Sequence, residues 1–173
     1  MLASAHPSTD SLASARLYLQ ELAQSDSSTF AAEFEPFFLY LLNEGQKAAY
    51  AELGVLQERK AYIKLFWRAK NQMPAADENE WLADFVERVT YAKREFKSPK
   101  SPFVDDRGKY WIRLGKPKVR YEEPGFLAAK FFGREYHPNE SWSYDHLVDN
   151  YIVHFMKRST WYEQIDEIIE VVG

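Results

Sequence analysis

The chain has no cysteine. That excludes disulfide frameworks, thiolate nucleophiles and Cys-ligated zinc or iron–sulfur sites, and leaves the redox compartment open. Long apolar runs are missing too, since nothing approaches the roughly 20 residues needed to cross a bilayer. Met1–Asp10 shows no basic stretch followed by an apolar one, so no export leader is expected and the chain reads as soluble. Glycine is sparse: 7 residues, widely scattered, from which neither a P-loop nor a dinucleotide fingerprint can be written. No Gly-x-Ser-x-Gly elbow and no His-Glu-x-x-His helix occurs either. A conventional nucleotide enzyme or serine hydrolase is not expected, and no cofactor is implied.

What is abundant is aromatic. Twelve Phe, 11 Tyr and 5 Trp make 16% of the 173 residues, within a hydrophobic share of 46%, which argues for a packed core over most of the length. Tyr and Trp also suit half-dry interfaces, so part of this surface can face a partner.

The net charge of −4 conceals a division along the chain. Residues 1–92 carry −5 and residues 121–173 carry −6, whereas residues 93–120 hold 10 basic and 3 acidic side chains. A basic middle between acidic ends can bind a polyanion, an acidic protein surface, or its own acidic segments.

Periodicity predicts helices first. Leu12, Ala15, Leu19 and Leu22 form one stripe of a helix capped by Asp10, and Ser25–Thr29 reads as a linker. Pro36 fits the first turn of a helix through Leu42, ended by Asn43-Glu44-Gly45 with Gly45 in a left-handed conformation. A short helix over Gln46–Leu53 should follow. Tyr62, Ile63, Phe66 and Trp67 are the buried face of a helix over Leu56–Lys70. After a loop with Pro74, Asp77 and Glu80 suggest a capping box, opening a helix with Trp81, Phe85, Val89, Ala92 and Phe96 inward.

From Tyr110 the period becomes two. Tyr110, Ile112 and Leu114 alternate with Trp111 and Arg113, predicting a strand, and Gly115-Lys116-Pro117 turns it towards Val119 and Tyr121. A helical turn is expected near Leu127–Phe132. Strands are expected at Trp142/Tyr144 and Tyr151/Val153/Phe155, with a turn at Arg158-Ser159-Thr160. Ile165, Ile168, Ile169 and Val172 suggest a helical tail. The expected organisation is a flexible segment at 1–9, a helical part at 10–100 and a sheet part with that tail at 101–173, forming one compact domain. The fold class is α+β, an N-terminal helical bundle packed on a small antiparallel β-sheet.

Several of these residues, in this order, resemble the bacterial GWxTD domain family. They are Phe66-Trp67, Pro74, Asn79-Glu80-Trp81, Arg88-Val89-Thr90-Tyr91-Ala92 with Phe96, Asp106-Arg107-Gly108 and Trp142-Ser143-Tyr144. The name-giving Gly-Trp-x-Thr-Asp is here Pro102-Phe103-Val104-Asp105-Asp106, sharing only its last residue. The resemblance implies a bacterial, often exported protein with no established biochemical role and no catalytic residues to transfer.

Candidate sites are few. Asp105-Asp106 could serve metal-assisted hydrolysis with one of His137, His146 or His154, Asp145 and Asp149 being further ligand candidates. Adjacent residues on an extended chain point to opposite faces, which favours capping and turn roles for the pair. The basic aromatic segment is the better candidate: Lys109, Trp111, Arg113, Lys116, Lys118 and Arg120, with Tyr110, could stack on single-stranded nucleic acid or meet an acidic protein. The acidic pI of about 5.6 disfavours nucleic acid. The function expected is therefore a non-enzymatic interaction or structural accessory module, in a homo-oligomer or larger complex. No catalytic residue and no metal site are assigned.

Overall fold

The computed structural model describes residues 9–71, 79–100, 102–123 and 138–166. Helices occupy the first part and a four-stranded antiparallel sheet the second, so the fold is α+β. The chain divides into two compact units, Met1–Tyr91 and Ala92–Gly173. The expected loop with Pro74, the cap at Asp77, the helical turn at Leu127–Phe132, His137, and Ile168, Ile169 and Val172 all lie outside the described residues.

In the first unit, α1 (Thr9–Gln24) is followed by a short α2 (Ser27–Thr29), a π-helical turn (Phe30–Phe34) and α3 (Glu35–Leu39). The predicted linker at Ser25–Thr29 is thus partly helix. Asp26 starts it, accepting from Thr29 N–H at 2.7 Å. In the π turn, Glu35 N–H reaches back five residues to the Phe30 carbonyl. Pro36 explains the widening: it has no N–H, and its ring would collide with the carbonyl one turn back in a regular helix.

Gly45 does not end a helix as predicted; it lies inside α4 (Glu44–Ala51). The stronger local signal is Asn43 with Gln46. Gln46 N–H donates to Asn43 Oδ1 at 2.9 Å and Asn43 N–H to Gln46 Oε1 at 3.0 Å, a reciprocal capping box. α5 (Leu56–Lys70) and α6 (Glu80–Glu95) follow. Asn79 caps α6 by accepting from Leu82 N–H at 3.0 Å, and its amide donates to the Trp67 carbonyl at 2.7 Å, joining the end of α5 to the start of α6. Leu22, Phe37, Phe38, Leu42, Ile63, Trp67, Leu82 and Phe85 are buried. Phe38 is the hub of an aromatic cluster, with ring centroids 5.1 Å from Phe66, 5.9 Å from Tyr50 and 6.2 Å from Tyr62.

In the second unit the predicted first strand is a helix, α7 (Asp106–Leu114). Alternation over five residues was outweighed by a cap: Asp105 is extended and its Oδ1 accepts from Arg107 and Gly108 N–H at 3.0 and 3.4 Å. Gly108 and Ile112, four apart, form the buried face. A Cβ at Gly108 would lie 2.9 Å from Val104 Cβ, so only glycine lets the helix approach this closely. Gly115, at φ 81°, closes the helix.

The sheet is a meander of β1 (Val119–Glu123), β2 (Asn139–Ser143), β3 (Ile152–Arg158) and β4 (Trp161–Ile165). Ile165, predicted in a helical tail, is therefore in β4. One sheet face, carrying Trp142, Val153 and Phe155, is buried; Trp142 lies 4.9 Å from Phe155 and 5.4 Å from Phe96, and Tyr110 of α7 is 5.6 Å from Phe155. α7 also contacts β4. Among the described residues no helix is long and apolar enough to cross a membrane.

Candidate interaction site

The two adjacent aspartates hold the second unit together. Asp105 Oδ2 accepts from the backbone N–H of Tyr162 at 3.0 Å, and Asp106 Oδ2 from that of Gln164 at 2.8 Å. Two side chains from the start of α7 thereby occupy alternate N–H groups along the outer edge of β4. Asp105 also pairs with Arg107, Nη2 to Oδ2 at 2.7 Å. The Arg107 guanidinium lies 3.7 Å from the Tyr162 ring centroid and reaches Glu140 Oε1 at 3.0 Å. Glu140 is buried in β2, where it also accepts from Arg120 Nη2 at 3.2 Å and from Trp142 Nε1 at 2.8 Å.

Two carboxylates and two guanidiniums thus make a connected cluster, which Arg120 extends to the exposed Glu122 at 3.2 Å. Burial raises the Asp105 carboxyl above its ordinary value, although the Arg107 hydrogen bond and charge and the N–H donors of Tyr162 and Gly108 pull the other way. Burial likewise raises the Tyr162 hydroxyl, with Arg107 opposing. Every oxygen placed for metal chemistry on Asp105 is engaged by donors of the protein. Among the described residues no group of three or more His, Asp or Glu side chains is placed to hold a metal ion.

His146 and His154 stand apart. His146 neighbours the Tyr144 ring at 6.0 Å, and His154 Nδ1 lies 2.8 Å from Ser141 Oγ on the sheet face away from Trp142. Among the described residues no carboxylate hydrogen-bonds the other ring nitrogen, so the geometry is that of a Ser–His pair without the orienting acid of a triad. Asp145 and Asp149 are exposed in the loop between β2 and β3.

The basic segment is distributed over three elements. Lys109 sits on α7 and pairs with the Asp106 carboxylate. Trp111 is half-buried, its ring 5.7 Å from Phe96 and 6.2 Å from Trp142. Arg113, in the last turn of α7, and Lys116, just after it, are exposed. Lys118 is exposed and 3.9 Å from Asp145, and Arg120 turns inward to Glu140. No single cationic strand surface exists, because half of the segment is helix.

Sequence reasoning missed an apolar strip on the other sheet face. Val119 and Tyr121 of β1 and Ile152 of β3 are 55%, 60% and 50% exposed. Register places them close together: Ser143 lies between Val119 and Ile152, and Ser141 between Tyr121 and His154. The small serines leave the larger side chains standing proud. Leu147, Val148 and Tyr151, in the β2–β3 loop, are exposed as well. The alternation of Val119 and Tyr121 signalled a two-faced strand, but only the pairing shows which neighbours share their face. Compared with protein-family models, curated proteins and solved structures, the chain gives no match.

Proposed function

We propose that this chain is a non-enzymatic protein-binding module, an accessory part of a larger bacterial assembly and a divergent relative of the GWxTD domain. It takes a partner protein on the apolar sheet face. The observation that carries the reading is the exposure of Val119, Tyr121 and Ile152 on one face of β1 and β3, on either side of β2. Arg113, Lys116 and Lys118 carry exposed positive charge along the segment that leads into β1, so the partner chemistry that fits is an apolar patch bordered by carboxylates. The Asp105–Arg107–Glu140 cluster acts as internal framework in this reading, with its polar atoms turned on one another.

Affinity capture from the native source with Ile152→Asp, beside a Leu65→Asp control on the exposed surface of α5, tests the assignment. A protein retained by the wild type and the control but lost from Ile152→Asp supports the sheet face. Equal recovery on all three, with the variants folded by circular dichroism, overturns it. The polyanion alternative predicts affinity falling steeply with salt; an apolar interface predicts a shallow dependence.

A further inference from the structure

The two outer edges of the sheet are finished differently. Lys157 N–H bonds the Pro138 carbonyl at 2.8 Å, and this sets the hydrogen-bonding phase of the whole meander. With Asn139 opposite Met156, β2 directs its even-numbered backbone groups to β3 and its odd-numbered ones to β1. In β1, Val119, Tyr121 and Glu123 therefore bond inward, and Arg120 and Glu122 present N–H and C=O at the open edge. The same phase turns Tyr162 and Gln164 outward on β4, where Asp105 and Asp106 accept from them. β4 is closed by carboxylates. Among the described residues β1 has no such cover: all five of its residues are exposed, and no hydrogen bond from a described residue reaches the outward backbone groups of Arg120 or Glu122. The strand does carry charges of the kind that blunt an exposed edge, Arg120, Glu122 and Glu123, with Arg120 turned inward to Glu140, so any pairing there must match opposite charges across it.

We propose that β1 pairs antiparallel with β1 of a second copy of this chain, about a twofold axis through Tyr121, joining two four-stranded sheets. The outward groups of Arg120 and Glu122 then form four backbone hydrogen bonds. Charge selects the register. Centring on Tyr121 puts each Arg120 opposite Glu122 of the second copy, whereas the neighbouring allowed registers oppose Arg120 to Arg120 or Glu122 to Glu122. Tyr121 faces its own copy in the close, non-hydrogen-bonded position, with Cα atoms ~4.5 Å apart. The interface is self-complementary and closed, so it stops at two chains. Its small size places it among reversible, concentration-dependent contacts. It requires no partner on the apolar face, so its failure and that of the proposed function are separable: Ile152→Asp leaves the β1 edge intact.

The absence of cysteine makes the register directly readable. Tyr121→Cys places two thiols within disulfide reach across the axis. Val119→Cys places them ~13 Å apart, four residues out of step, and should cross-link at least about tenfold more slowly. Mild oxidation of the full chain, followed by non-reducing electrophoresis, measures both. Glu122→Pro removes an outward donor without touching the β1–β2 bonds, and should shift the wild-type sedimentation equilibrium to monomer. Equal cross-linking of the two cysteine variants overturns the proposal, as does faster cross-linking of Arg120→Cys than of Tyr121→Cys. A wild type that sediments as monomer at every concentration also overturns it.

Discussion

Each unit draws a cation inward, fully for Lys60 and in large part for Arg107, and the two are held in opposite ways. In the first, Lys60 of α5 is 3% exposed, and its ammonium donates to the backbone carbonyls of Ala23, at 3.2 Å, and Ser25. These carbonyls lie at and just beyond the C-terminal end of α1, where the helix dipole is negative and carbonyls lack intrahelical partners. In the second, Arg107 is held by the full charges of Asp105 and Glu140 and stacks on Tyr162. The first arrangement uses a partial charge that the helix already has. The second brings formal charges out of water, and each then depends on the others remaining. The difference predicts unequal consequences when either cation is removed.

The largest effect is expected from Arg107→Leu. It leaves Asp105 and Glu140 as buried carboxylates with too few counter-charges, and breaking such a pair costs about 3–5 kcal/mol. Urea denaturation should show the second unit lost or close to it. If Arg107→Leu unfolds within about 1 kcal/mol of the wild type, the charge-cluster account fails, because that is the scale of an exposed pair.

Asp105 sharpens the same point through pH. Its folded pKa is raised above its unfolded value, so between the two values the folded state binds more protons. Stability contributed by this group is therefore present in acid and is lost as pH rises through the folded pKa. Asp105→Asn removes that descending segment from the stability–pH curve, while losing the charge that holds Arg107. The comparison to make is the slope between the ordinary Asp range and neutrality; an unchanged slope in Asp105→Asn would contradict the shift.

The contrast between the units also explains what could be read from sequence. In the first, helix faces were legible because Tyr62, Ile63, Phe66 and Trp67 in α5, and Phe85, Val89 and Ala92 in α6, recur at steps of three and four. Errors fell at punctuation, where Asn43 acts through a partner three residues on while Gly45 drew attention by type alone, and at Trp81, predicted inward and half exposed. In the second, Tyr110–Leu114 alternated only because a short, two-sided helix contacts both the sheet and solvent. Its helical nature resided in the cap at Asp105, and the capping role allowed for the aspartate pair was not carried on to a helix. Glu140 was not legible at all: an isolated acid in a strand acquires meaning only from Arg107 and Arg120, brought to it by pairings 33 and 20 residues long. The apolar strip depends likewise on register, which periodicity within one strand cannot supply.

Lys60 provides the milder counterpart to Arg107. Lys60→Met keeps the apolar stem but removes two charge-assisted hydrogen bonds to α1 and its following turn, for a loss of about 1.5–3 kcal/mol. No carboxylate is stranded, so the loss should remain below that of Arg107→Leu. Thermal melts of the two variants side by side decide it; a larger loss for Lys60→Met would reverse the ranking of partial-charge and full-charge burial.

The helix starts repeat the contrast on the smallest scale. α7 begins with a charged cap, Asp105, whose negative charge suits both the helix dipole and Arg107. α6 begins with a neutral one, Asn79. Replacing Asn79 with Ala should cost about 1 kcal/mol, the ordinary value of a lost N-cap. Asp is as good a cap as Asn in general and suits the dipole better. Here it should not rescue, because Asn79 also donates its amide to the Trp67 carbonyl at 2.7 Å. A carboxylate would set two acceptors against each other, so Asn79→Asp should remain below the wild type in urea midpoint at neutral pH. A gain in Asn79→Asp would mean that capping alone matters there, and that the bridge from α5 to α6 contributes nothing measurable.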